Sequence, residues 1–144
     1  MRNSLNNAKE EFKRCDHLLY VSLKYTRTVD VIKSLISRMI STYEFVIDAL
    51  LKKKRVKDIP SQVGVKIDRA RGLFADDPVV MVNLDNFIML RKLDKVAYKV
   101  ENEFRRHVHL LANVDGKDVA IGIDEMMAYY AKLKEFLESL DESL

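Results

Sequence analysis

The chain has 144 residues, 48% hydrophobic and 33% charged, with only four Gly and two Pro; this is the profile of one folded domain and excludes a disordered chain or a turn-rich all-β protein. A single cysteine, Cys15, excludes an intrachain disulfide, and no uncharged run exceeds the eight residues from His107 to Val114, so no transmembrane helix is expected. The net charge of +3 hides an uneven distribution, with 16 Lys/Arg against 8 Asp/Glu in residues 1–72 and 9 against 14 in residues 73–144.

The polar start, MRNSLNNAKEEFKR, lacks the apolar core of a signal peptide, so a cytoplasmic location is expected. From about Asn3 to Tyr25, the residues Leu5, Ala8, Phe12, Cys15, Leu19 and Ser22 alternate spacings of three and four and predict a helix. Leu18, Val21 and Leu23 widen its buried area. Ser4 reads as its N-cap, with Glu10 and Glu11 near the positive end of the dipole. The sequence TRT at 26–28 is a weak break, where either one kinked helix continues or Thr28 caps a new one.

The clearest pattern follows. Val29, Ile32, Ile36, Met39, Tyr43, Val46 and Leu50 form a heptad seam, flanked by Leu35, Ile40, Phe45, Ile47, Ala49 and Leu51. Such a helix of about 25 residues is about 38 Å long and predicts a helical hairpin as the spine of the fold. Its seam faces the first helix, a second copy of the chain, or both. The basic run Lys52, Lys53, Lys54, Arg55 and Lys57 suits a helix C-terminus. A short helix is predicted over 61–74, weakened by Gly64 and Gly72. Asp76-Asp77-Pro78 opens a fourth helix running to about Phe104, with Leu84, Phe87, Ile88, Leu93, Val96, Ala97, Val100 and Phe104 on its apolar side.

The period then changes to two. Arg106, Val108, Leu110, Ala112 and Val114 alternate with His107, His109, Leu111 and Asn113, the Asp115-Gly116 pair suits a type I′ turn, and Val119, Ile121 and Ile123 alternate again. A β-hairpin is predicted near residues 105–123. Asp124 reads as the cap of a last helix carrying Met126, Tyr130, Leu133, Leu137 and Leu140, before the acidic tail DESL. The expected fold is mainly α (α+β): a long antiparallel helical hairpin within a four- to five-helix bundle, plus one β-hairpin, in a single domain over 1–144.

Four constellations could carry chemistry. Lys13, His17, Tyr20, Lys24 and Arg27 form a basic, partly aromatic stripe that suits a phosphate backbone and a stacked base, or serves as an ordinary polar helix face. Asp30, Ser34, Ser37, Ser41, Glu44 and Asp48 line one side of the second helix, as a small-residue packing face or a cleft; the Glu-x-x-His pairs of a di-metal bundle are missing. His107 and His109 share a strand face beside Arg105 and Arg106. They could form half a metal site, with a third ligand from His17, Asp118 or Cys15, but no spacing requires one, and no metal or cofactor is expected. Asp76-Asp77 reads as a helix cap rather than an acid–base pair. Cys15 reads as a buried small hydrophobe.

Two long helices, then a helical remainder with a late basic and histidine patch, resemble the HEPN superfamily of small, often dimeric helical bundles. The stretch DHLLYVSLKYTRTVDVIKSLISRMISTYEFVIDALL is also similar to the front half of small uncharacterised archaeal proteins. The resemblance implies either a toxin ribonuclease or a noncatalytic RNA- or nucleotide-associated partner. The family's Arg-x4-6-His motif is not matched: Arg105 and His109, the widest pair, are too close together, so no catalytic residue carries over. The expected function is therefore a noncatalytic binding protein of HEPN-like type, a homodimer through the second-helix seam, with RNA or another protein as partner. The nucleic-acid or phosphate contacts would be Lys13, His17, Tyr20, Lys24, Arg27, Arg105, Arg106, His107 and His109. The alternatives are a divergent metal-independent ribonuclease using the Arg105–His109 patch and a structural subunit of a larger complex.

Overall fold

The computed structural model describes residues 2–142. The first helix, α1, runs Arg2–His17, widens into a π-helical segment over Leu18–Ser22, and closes with an α-turn over Leu23–Tyr25. The π segment has a sequence cause. Cys15, Leu19 and Leu23, all buried, lie four and four residues apart. At about 100° per residue, two such steps drift about 80° off one face, and a wider turn holds all three toward the core. Leu23 thus takes the inward place expected of Ser22, and Val21, expected to widen the buried area, is exposed. Ser4 is not a cap: it lies inside α1, buried, and its Oγ accepts a hydrogen bond from Lys52 Nζ at 2.8 Å.

The break at 26–28 separates two helices. Thr28 caps α2 (Val29–Lys53), its Oγ1 accepting from Val31 N at 3.3 Å. The Ser4–Lys52 bond and the 3.8 Å approach of Cys15 Sγ to Thr42 Oγ1 show α1 and α2 packed antiparallel, as the hairpin reading expected. All seven seam residues are buried within the single chain, against α1 and the later helices. The seam is therefore consumed by the bundle itself and offers no face to a second copy.

Helix α3 (Val63–Leu73) turns Ile67 and Ala70 inward. Helix α4 (Pro78–Lys95) starts as its cap predicts, with Asp77 Oδ1 accepting from Val79 N and Val80 N at 3.1 and 3.3 Å. It ends at Lys95, nine residues before Phe104. Val96 is already extended, and Tyr98–Glu101 forms strand β1. Val96, Val100 and Phe104 carry helical spacing, but Tyr98 and Val100 alternate with Lys99 and Glu101, and strand pairing decides between the two periods. Val100 and Phe104, expected on the helix's apolar side, are exposed.

The hairpin forms as β2 (His109–Val114) and β3 (Lys117–Ile121), and β1 adds a third antiparallel strand in the order β1-β2-β3. Asp115 and Gly116 both have positive φ, +53° and +83°, as a type I′ turn requires. Arg105 to Val108 form a turn before β2 rather than strand. Val108, Leu110, Ala112, Val114 and Ile121 face the helices. The last helix, α5 (Ile123–Glu142), buries Met126, Tyr130, Leu133, Leu137 and Leu140 as expected. Asp124 lies inside its first turn instead of capping it, and the Glu125 carboxylate accepts from Gly122 N at 2.7 Å. Of the acidic tail, Asp141 and Glu142 belong to α5, and Ser143-Leu144 lie outside the described residues. Lys9 and Arg2, at 2.8 and 3.1 Å, hold the Asp141 carboxyl below its usual range. Among the described residues no helix is long and apolar enough to cross a membrane.

Burial pushes the Cys15 thiol up from 9.0 to about 12. The neutral thiol is the form the core favours, so this contribution is complete below pH 9 and is lost as pH rises toward 12. We predict that stability falls by up to about 1.4 kcal/mol per pH unit above 9. Burial also raises the hydroxyls of Tyr43 and Tyr130, which extends the loss above pH 10. Urea unfolding at pH 8, 9 and 10 checks this. Cys15→Ala should flatten the change between 9 and 10, and an unchanged slope would remove the thiol as its source.

Candidate anion-binding pocket

Two basic segments far apart in sequence meet at one concavity of about 340 Å³. Its floor is apolar: Leu19 and Leu23 from the end of the first helix, Val108 before β2, and Ile123 at the start of α5. Its polar walls are Lys24, Arg27, Arg106, His107, His109 and Asp124.

The connection between the two segments is a set of backbone bonds. Phe104 N donates to Arg27 O at 2.7 Å, and the Glu103 carboxylate accepts from Val29 N at 3.2 and 3.4 Å. Glu103 thus satisfies an orphan donor at the α2 N-terminus, where negative charge is favoured. This ties the 102–108 loop onto the 26–28 break. The loop is strained: Asn102 and Phe104 have φ of +55° and +65°. Asn accepts that region readily, whereas a bulky aromatic there costs about 1–2 kcal/mol. Phe104 is nevertheless 74% exposed, and Tyr25, across the break, is 78% exposed. Two aromatic rings therefore stand in solvent on the segments that supply the cations.

The electrostatics are one-sided. Most basic residues of α1 are neutralised: Arg2 and Lys9 pair with Asp141, Lys13 with Glu10, and Arg14 with Glu11. Among the described residues Lys24, Arg27 and Arg106 make no ion pair. Arg27 Nε is buried with no hydrogen-bond partner. Three cations face one carboxylate, Asp124, and the positive end of the α5 dipole adds to them. A partly dehydrated guanidinium with free donors suits a phosphate oxygen.

His109 is held differently. Its Nδ1–H donates to His107 O at 2.6 Å, and its Nε2 lies 3.8 Å from Glu125 Oε1, an ion-pair rather than hydrogen-bond distance. With a backbone acceptor on one nitrogen and a carboxylate beside the other, the ring is positioned as a fixed wall of the pocket. A Cβ on Gly122 would lie 2.8 Å from that ring, so Gly122 leaves the space it occupies.

The expected basic stripe divides at the π segment. Lys24 and Arg27 reach the pocket, while Lys13, His17 and Tyr20 do not line it. Tyr20 packs edge-on against Tyr130, 5.5 Å between centroids, and Tyr130 OH donates to Asp16 at 2.6 Å. Arg105 is exposed beside the pocket and does not line it. Lys52, held by Ser4 at the start of α1, places the 52–57 run at the opposite end of the hairpin, about 38 Å away by helix length. His107 precedes β2, so the two histidines do not share a strand face. Of the other candidate ligands, Cys15 is in the core and Asp118 accepts from Asn113. Among the described residues no three His, Cys, Asp or Glu side chains group closely enough to hold a metal.

The polar stripe of α2 borders a smaller cavity of about 260 Å³, at Ser41, Glu44 and Asp48. Lys66 pairs with Asp48 at 2.9 Å and Arg38 with Glu11 at 3.4 Å, so much of its charge is internally neutralised. Sequence reasoning missed Glu103, Gly122 and the exposed pair Tyr25 and Phe104. The one available signal was the aromatic directly before Arg105-Arg106, which helical spacing had assigned to the core. No family model, no curated protein and no solved structure matches this chain.

Proposed function

We propose that this chain is a noncatalytic binding protein of HEPN-like type that holds single-stranded RNA at the Lys24/Arg27/Arg106 pocket. The observation that carries the reading is the convergence of Arg27 and Arg106, from distant segments, without a carboxylate partner for either. The pocket lies at the small end of ligand sites, sized for one phosphate-bearing unit rather than a duplex. Tyr25 and Phe104 supply faces on which neighbouring bases stack. His109, oriented by the His107 carbonyl and flanked by Glu125, serves in this reading as a fixed wall of the pocket.

Fluorescence anisotropy with a labelled single-stranded oligoribonucleotide tests this. Three phosphate contacts predict a log–log salt slope of about −2. Arg27→Ala and Arg106→Ala should each weaken binding about tenfold and flatten that slope. Phe104→Ala should weaken binding about tenfold and leave the slope unchanged. Lys13→Ala should change neither. The same RNA should remain uncut. Binding indifferent to salt, or to the arginine changes, would overturn the proposal, and cleavage abolished by His107→Ala would establish the ribonuclease instead.

A further inference from the structure

We infer that β1 is a self-complementary sheet edge through which two copies of this chain pair. The inference does not depend on what the pocket binds. β1 lies at the edge of the sheet, and all four of its residues are exposed. Among the described residues no segment other than β2 hydrogen-bonds to its backbone. Its inward-facing residues end abruptly. Tyr98 and Val100 pair with Ala112 and Leu110, which are 7% and 0% exposed, yet are themselves 40% and 48% exposed. Lys33 Nζ lies over the Tyr98 ring at 5.3 Å, so the bare apolar surface past the rim of the core is at Val100, and the strand carries no proline to blunt it.

Charge selects the occupant and the register. Antiparallel pairing about a two-fold axis keeps side chains on matching faces only if the axis passes through a residue, so that partners differ by an even number. An axis at Val100 sets Val100 against its own copy. It sets Lys99 of each chain against Glu101 of the other, giving two opposite-charge pairs. An axis at Lys99 would set two ammonium groups face to face. The far edge lacks this property: about Val119, Asp118 would meet Ala120. The opposite charges two apart on β1 therefore fit a second copy of the same strand. Four-residue strands bury little area, so the dimer is weak.

Sedimentation equilibrium from 10 to 500 μM reads the association directly. Lys99→Glu and Glu101→Lys should each weaken it about tenfold by turning both pairs repulsive. The double variant Lys99→Glu/Glu101→Lys, which restores complementarity in reverse, should recover it. Val100→Cys should form a disulfide-linked dimer on mild oxidation, because directly opposed residues lie about 4.5–5.5 Å apart between Cα atoms, and Cys15 is too buried to compete. Circular dichroism confirms that each exposed-site variant is folded. A monomer throughout the concentration range, a double variant as weak as the single ones, or cross-linking no faster at residue 100 than in Lys99→Cys would each overturn the pairing.

Discussion

Phe87→Ala is expected to lower the unfolding free energy by about 3–5 kcal/mol and the melting temperature by on the order of 10 °C. Phe87 is fully buried on α4 and stacks on Tyr43 of the α2 seam, with ring centroids 5.3 Å apart and planes 23° from parallel. Arg91 lies over the Phe87 ring at 5.8 Å. Truncation leaves a cavity between the two helices and removes the aromatic contact, worth about 0.5–1.5 kcal/mol of the total. Tyr43 cannot swing in to fill it, because its OH donates to Asn83 Oδ1 at 2.7 Å, and Asn83 Nδ2 donates in turn to Val79 O. Val82→Ala, at a half-exposed site on the same helix, should stay within about 0.5 kcal/mol. Chemical denaturation of both variants decides the matter: a Phe87→Ala loss under 1 kcal/mol would place that ring outside the core.

Gly122→Ala should destabilise the fold by about 1–3 kcal/mol and weaken anion binding with it. The added Cβ would meet the His109 ring at 2.8 Å and the Val108 carbonyl oxygen at 2.9 Å. The ring can rotate away only by giving up its Nδ1 bond to His107 O, and the Val108 oxygen is backbone and yields only if β2 shifts. Either response moves a wall of the pocket. Gly64→Ala is the contrasting change: nothing lies within 4 Å of that Cβ, and in the first turn of α3 Ala should be neutral or stabilise by up to about 1 kcal/mol over Gly. Thermal unfolding and oligoribonucleotide anisotropy on both variants check the pair of outcomes. A Gly122→Ala protein of unchanged stability and affinity would show that the His109 position does not matter.

How far the fold was legible depended on how local each cause was. The seam from Val29 to Leu50, the Asp77 cap and the Asp115-Gly116 turn each formed as the sequence predicts, whereas at Thr28 the sequence left a kinked helix and a cap both open and the structure has the cap. The end of α4 was misread because Val96, Val100 and Phe104 satisfy a helical period while Tyr98 to Glu101 satisfy a strand period. Only pairing with His109 to Ala112 breaks that tie. The basic stripe failed for a related reason. Its spacing assumes an unbroken α-helix, but the π segment interrupts the helix between His17 and Lys24, and Arg27 lies beyond its end at Tyr25.

Local pattern was enough for the class of fold, the antiparallel hairpin, the Asp77 helix start and the residue types able to meet an anion. These rest on side-chain periodicity and short-range hydrogen bonds, which neighbours along the chain suffice to define. Which cations share one concavity is set by tertiary contacts. Lys24 and Arg27 meet Arg106, His107 and His109 because Glu103 and Phe104 dock on the break before α2 and because Gly122 leaves room for an imidazole. Tertiary packing also decided that the α2 seam is spent inside the chain and that all four residues of the edge strand β1 are exposed. The docking of Glu103 on Val29 joins positions 74 residues apart, and the free energy that selects such contacts comes from packing and pairing that no local pattern records.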